Sequence, residues 1–229
     1  MAFDPFGDHA TRGYLRNVAG ELDPERVKRL EHRSFSANVL TALDHLQGVR
    51  QLRYEDVLDT HRTLFGAVYP WAGQDRAQLA PDLAIAKAGH YDMFAHPGDV
   101  RRAVEYGLEM GRDPASVRSR PGEVFGTLAY GHPFLDGNGR SLMTVHADLA
   151  RRVGFHIAWQ DIGKAEFLSS LTEELRKPGG QLDRLLAPHI VAGPLPLCDT
   201  AARLSANPGL NPTDRTSGPS PCAARSPRS

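Results

Sequence analysis

Gly131-His132-Pro133-Phe134-Leu135-Asp136-Gly137-Asn138-Gly139-Arg140 interrupts two runs of helical periodicity, one through Val124, Phe125, Leu128 and Ala129 and one from Leu142 to Val153. Proline inside a helix removes a hydrogen bond, and glycine frees the backbone for conformations that other residues avoid. A helix must therefore stop near Gly131, pass through a loop and restart near Arg140 or Ser141. The amides of Gly137, Asn138, Gly139 and Arg140 then lie unpaired at the positive end of the second helix. Such a helix start is a candidate phosphate cradle. Gly137 and Gly139 let an anion approach the backbone, and the Arg140 guanidinium can grip two phosphate oxygens. Asp136 offers a hard oxygen where a magnesium ion bridging two phosphates needs one. His132, with an ordinary imidazole pKa of about 6.5, is a candidate base for a hydroxyl nucleophile.

Outward from this loop the chain reads as mainly α. Val27, Leu30, Phe35, Val39, Leu40, Leu43 and Leu46 fall on one helical face, and Tyr54, Val57, Leu58, His61, Leu64 and Phe65 repeat the arrangement, with Gly48 as the break. Periodicity fades from Tyr69-Pro70-Trp71-Ala72-Gly73 to about Gly89, where Ala77 to Leu79 and Ala84 to Ala86 flank Pro81-Asp82 and predict a small β-hairpin. Helical pattern resumes at Val100, Val104, Leu108 and Met110, and again at Phe167 to Leu175 and Leu182 to Ile190. The expected fold is seven or eight helices around the central helix-loop-helix, with one hairpin beside the active loop. Seven of the seventeen prolines fall between Pro194 and Pro227, among Ser, Thr, Arg and Gly. That composition buries too little apolar surface to offset ordering entropy, so residues 1–192 are expected to form the domain and 193–229 a disordered tail.

With 229 residues, one domain is the expectation. The 27 basic and 27 acidic residues cancel, which leaves no electrostatic footprint for nucleic acid or a membrane surface. No run approaches the roughly 20 apolar residues needed to span a bilayer, and Met1 to Gly13 lacks the layout of a secretory signal. Cytoplasmic residence is expected, or delivery to another cell by a secretion system that leaves no trace in these residues. Cys198 and Cys222 fit neither a disulfide framework nor a zinc site and are expected as free thiols.

His132, Phe134, Asp136, Gly137, Asn138, Gly139 and Arg140 match, position by position, the signature of the Fic-domain family, which the chain resembles over about residues 10–190. The resemblance implies a Fic-type helical bundle and a protein AMP transferase that moves AMP from ATP to a Ser, Thr or Tyr hydroxyl of another protein. It implies His132 as the catalytic base, Asp136 as the magnesium ligand, and Gly137, Asn138, Gly139 and Arg140 as holders of the nucleotide phosphates. Tyr69 to Gly73 resembles the family's entry to a flap on which an extended target segment docks by strand addition, here residues 74–87. The second arginine of the signature is replaced by Met143. In the family that arginine binds the γ-phosphate and is captured by an inhibitory glutamate. A Fic-fold enzyme with another donor (UMP, phosphocholine or phosphate transfer) and a catalytically weak binding module stay open as alternatives. The family's inhibitory sequence, Ser or Thr, three residues, Glu, then Gly or Asn, is not found, so an inhibitor is expected as a separate antitoxin-like protein.

Simpler readings were set against these. A Pro/Asn/Gly turn capped by Asp136 explains the loop without chemistry but not its seven specified positions. His132 and Asp136 have the spacing of two metal ligands on one helix, which Pro133 argues against. His61, His90 and His96 read as surface or flap residues, His146 as a packed or half-exposed histidine, Trp71 and Trp159 as core anchors, and Arg101-Arg102 and Arg151-Arg152 as solvated faces.

Overall fold

The chain is described by a computed structural model over residues 4–7, 15–82 and 93–207. Helix α1 (Pro24–Gly48) starts where Asp23 accepts the Glu25 amide at 2.9 Å and Pro24 occupies the first turn. Its buried stripe, Val27, Glu31, Ser34, Phe35, Val39, Leu43 and Leu46, has helical spacing and contains one acid. Helix α2 (Tyr54–Phe65) follows after the break at Gly48 and is held at its start by the Asp56 carboxylate, which accepts the Arg53 amide at 2.7 Å. A single turn, α3 (Arg76–Leu79), precedes α4 (Val100–Arg112), α5 (Pro114–Ser119) and α6 (Pro121–Gly131). Helix α7 (Asn138–Arg152) restarts two residues before Arg140, with Gly137 as its N-cap. Strand β1 (Phe155–Ile157), α8 (Lys164–Arg176), α9 (Gln181–Leu186), β2 (Ile190–Ala192) and α10 (Leu197–Ala206) complete the described order.

Helices α6 and α7 form the centre, as the quoted loop requires. Helix α4 packs closely on α6, where Gly107 lets the backbones approach: a Cβ there would lie 2.8 Å from Leu128 Cδ2. Helices α1 and α2 cover α7 from another side, so Phe35, Leu43, Leu64, Phe65, Phe125, Leu128 and Leu142 share one core. Trp71 and Trp159 are core residues, and His146 is fully buried, its Nε2–H donated to the Pro121 carbonyl at 2.8 Å.

Three expectations need correction. The hairpin leg at Ala77–Leu79 is part of α3, since Asp75 accepts the Gln78 amide and closes a helical turn; the other leg, Ala84 to Ala86, lies outside the described residues. The two-stranded antiparallel sheet is instead β1 with β2, in the register Phe155↔Ala192, His156↔Val191 and Ile157↔Ile190. Within the expected tail, α10 packs on α1 and buries Ala201 and Leu204 completely or nearly so. Leu197, Ala201 and Leu204 recur at helical spacing, and the prolines that suggested disorder flank the helix rather than interrupt it. Residues 208–229 lie outside the described part.

Arg151 and Arg152 are also more than a solvated face. Both pair with the fully buried Asp148 carboxylate at 2.6 Å, and Arg152 donates to the Leu46, Val49 and Arg50 carbonyls at the end of α1. These carbonyls lie in the last turn of α1 and just beyond it, where the helix offers few partners of its own. No described helix is long and apolar enough to cross a membrane.

Candidate active site

Helix α6 ends at His132, which adopts φ 42° and ψ 59°. Among the described residues it is the one non-glycine with positive φ, a conformation that costs about 1–3 kcal/mol and persists only where surroundings enforce it. The turn aims the imidazole at the start of α7, where Nε2 lies 3.1 Å from Asn138 Nδ2. Asn138 Oδ1 accepts the Phe134 amide at 2.9 Å and Nδ2 donates to the Phe134 carbonyl at 2.7 Å, which fixes the amide's orientation. Nδ2 is therefore the donor toward His132, and Nε2 of the neutral ring is the acceptor. Phe94 lies tilted against the ring, 4.1 Å between centroids.

Gly137, at φ 75°, turns the chain into α7, and a Cβ there would meet Phe65 Cε2 at 2.6 Å. Its amide donates to Asp136 Oδ1 at 2.5 Å, while the Asp136 side chain stays half exposed. Gly139 is exposed at the mouth of the helix start, and the Asn138 side chain is buried and engaged within the loop. Asn138 can thus offer an anion its backbone, with its side chain already committed. The sequence-predicted His132, Asp136, Gly137, Asn138, Gly139 and Arg140 all fall on one turn.

Arg140 is a residue whose surroundings the sequence did not reveal. Its guanidinium lies 4.6 Å from the centre of the Phe65 ring and donates to Glu31 Oε2 at 2.7 Å. Glu31 is buried, and its other oxygen accepts the Tyr69 hydroxyl. Burial pushes the Glu31 carboxyl above the ordinary range, the Asp136 charge adds to this, and Arg140 and Tyr69 oppose it. Arg140 is thereby held in a fixed pose beside the amides.

His61 is buried, not a surface residue. Its Nδ1 accepts the Gly73 amide at 2.9 Å, so Nε2 carries the proton and donates to the Asp136 carbonyl at 3.1 Å. Its ring stacks on Phe134 at 3.8 Å. Burial lowers its pKa to about 3, and burial lowers that of His146 to about 4. Both stay neutral in the fold while an unfolded chain protonates them near 6.5. Their contribution is complete above that value and is lost as the pH falls toward the two folded values. At about pH 5 each histidine should cost about 2 kcal/mol of stability, read by urea unfolding. His146→Gln, which cannot titrate but can donate to Pro121, should flatten the acid limb of the curve.

Among the described residues no group of three His, Cys, Asp or Glu side chains could hold a metal. A half-exposed carboxylate suits magnesium, which commonly takes one or two carboxylates and completes its shell with water and substrate phosphates. Met143 is buried under α10, with its sulfur 3.7 Å from Asn207 Nδ2. Met143→Arg should therefore cost about 3–5 kcal/mol in urea unfolding as an uncompensated buried charge, with no gain in ATP affinity.

The sequence profile of the Fic/DOC family matches residues 51–150, the segment from α2 to α7 that contains this turn. Those residues are similar to the Fic/DOC family. It is 32% identical over 184 residues to the protein adenylyltransferase VbhT of Bartonella schoenbuchensis, a match covering 74% of this chain but only 35% of that protein. The chain thus spans about a third of the length of this curated relative. Among solved structures, BepC of Bartonella tribocorum with bound AMPPNP superposes with a TM-score of 0.64 at 18% identity, covering 78% of this chain and 92% of that one. An N-terminal Fic domain from Bartonella quintana with bound ADP gives 0.67 at 19% identity, covering 80% and 93%. These likenesses establish that the Fic fold extends beyond the profile match.

Proposed function

We propose that the chain is a protein adenylyltransferase of the Fic type, using ATP and magnesium. The observation that carries this is the His132 Nε2 acceptor 3.1 Å from Asn138, on the same turn as the α7 amides, Arg140 and Asp136. The relative's name, protein adenylyltransferase, and the AMPPNP and ADP bound to structures of the same fold support it. The backbone amides of Asn138 to Arg140 and the Arg140 guanidinium hold the phosphates, joined by the Gly137 amide once it leaves the Asp136 carboxylate, while Asn138's side chain orients His132. Asp136 would hold the magnesium ion, which would supply positive charge at the phosphates. The target hydroxyl displaces Asn138 Nδ2 from His132 Nε2, and its oxygen bonds to the α-phosphorus as its proton passes to that nitrogen. The bond from that phosphorus to the bridging oxygen breaks, and pyrophosphate departs. Positioning and charge stabilisation supply most of the rate, as in phosphoryl transfers generally.

The target dock is residues 74–87, of which 76–79 are helical and 83–87 lie outside the described residues. Inhibition falls to a separate antitoxin-like protein. The reaction takes place in cytoplasm, of the producing cell or of one into which the protein is delivered.

Incubation with cell lysate, magnesium and ATP labelled at either the α- or the γ-phosphate tests the reaction. Label from the α position alone, lost with EDTA, is the expected result. Label from the γ position identifies phosphate transfer instead. Failure with α-labelled ATP combined with transfer from UTP or CDP-choline identifies another donor, and failure with all of them identifies a binding module.

A further inference from the structure

We propose that Arg76 is a positioning residue for His132, acting through the peptide carbonyl of the histidine rather than through its ring. The inference rests on the functional reading above for its kinetic consequence, though not for its geometry. Arg76 is 1% exposed although it belongs to a single helical turn at the edge of the fold. Its Nε donates to the His132 carbonyl at 2.8 Å, its backbone amide donates to the Pro133 carbonyl at 2.7 Å, and its Nη2 donates to the Ala95 carbonyl. The Ala95 amide in turn donates to the Tyr130 carbonyl at 2.9 Å. Arg76 thus holds the His132 and Pro133 carbonyls directly and ties them to Ala95, which in turn holds Tyr130.

The peptide it grips is the one that turns at φ 42°. A residue with a side chain leaves that conformation unless its carbonyl is held, and a rotation of this peptide swings the imidazole with it. His132 must keep Nε2 at the start of α7 for a hydroxyl to meet an α-phosphate, and a misplacement on the order of 1 Å costs about 100-fold in such a reaction. The anchoring of Arg76 is itself prepared. Asp75, buried beside it, accepts the Tyr54 hydroxyl at 2.6 Å and caps the α3 turn, so the backbone at 76 cannot shift independently. Arginine is required here because the two carbonyls are met by different nitrogens of one planar fork; a lysine can satisfy only one.

Arg76→Gln and Arg76→Lys test this with two measurements. In the transfer assay, kcat should fall about 10- to 100-fold for Gln and less for Lys, with ATP dissociation constants within about threefold of wild type. In solution NMR of the folded protein, the His132 Cα and Cβ shifts and the amide coupling constant should move from left-handed toward ordinary values. If Arg76→Gln does not fold, Arg76→Lys carries both readouts. Unchanged His132 shifts, or turnover within about twofold of wild type, overturns the proposal. A parallel loss of ATP affinity does so as well, because it assigns Arg76 a general structural role. Should wild type show no transfer from any donor, the enzymatic reading fails while the NMR measurement still decides whether Arg76 sets the conformation of His132.

Discussion

His132→Ala should lower the turnover of AMP transfer by about 10³-fold while ATP affinity stays within about threefold of wild type. The asymmetry follows from where the ring sits. Its Nε2 meets Asn138 Nδ2, and its ring lies against Phe94. Asn138 retains both contacts to the Phe134 peptide when the imidazole is removed, and those contacts hold the loop. The helix start therefore survives with its amides in place. What is lost is the acceptor for the hydroxyl proton, a contribution that arises only as the reaction proceeds. His132→Gln should do no better, since a carboxamide can hydrogen-bond the hydroxyl without accepting its proton. Equal loss of ATP affinity and turnover would instead make His132 a binding residue and remove the general base from the proposed reaction.

The helices that build this site were legible because each buries a stripe at helical spacing, and the loop was legible because Pro133 and Gly137 punctuate it. The residues that tune the site were not, because their partners are far away in sequence. Glu31 sits 109 residues from Arg140, and the only local hint was an acid within the stripe Val27, Ser34 and Phe35. His61 gave the same hint, lying in line with Val57 and Leu64, and a buried polar residue on an apolar face calls for a partner. Arg76 gave none, since its three carbonyl acceptors are backbone groups that any sequence possesses. Composition misled at α10: averaged over 193–229, the prolines outweighed ten residues of good helical pattern. Strands β1 and β2 are too short for alternation to register.

Arg140→Ala should both weaken ATP binding and destabilise the fold by about 3–5 kcal/mol, and the two losses should separate in a second variant. The stability loss comes from Glu31, left buried with an uncompensated charge and only the Tyr69 hydroxyl as a hydrogen-bond donor in this pair. Its carboxyl is already held above the ordinary range with Arg140 present, and removing the cation raises it further. The folded state then binds a proton that the unfolded state releases above about 4.5. Stability is thus retained below that value and lost as the pH rises, so the deficit of Arg140→Ala should be small in acid and grow toward neutral pH. Adding Glu31→Gln removes the charge while keeping an acceptor for Tyr69. The double variant should regain much of the urea-unfolding stability and lose its pH dependence, yet bind ATP as weakly as Arg140→Ala alone. Recovery of ATP binding along with stability would mean that Arg140 serves the fold and not the phosphate. Continued weak binding in a stable protein places the guanidinium on the nucleotide, with Glu31 holding it in the pose that the nucleotide meets.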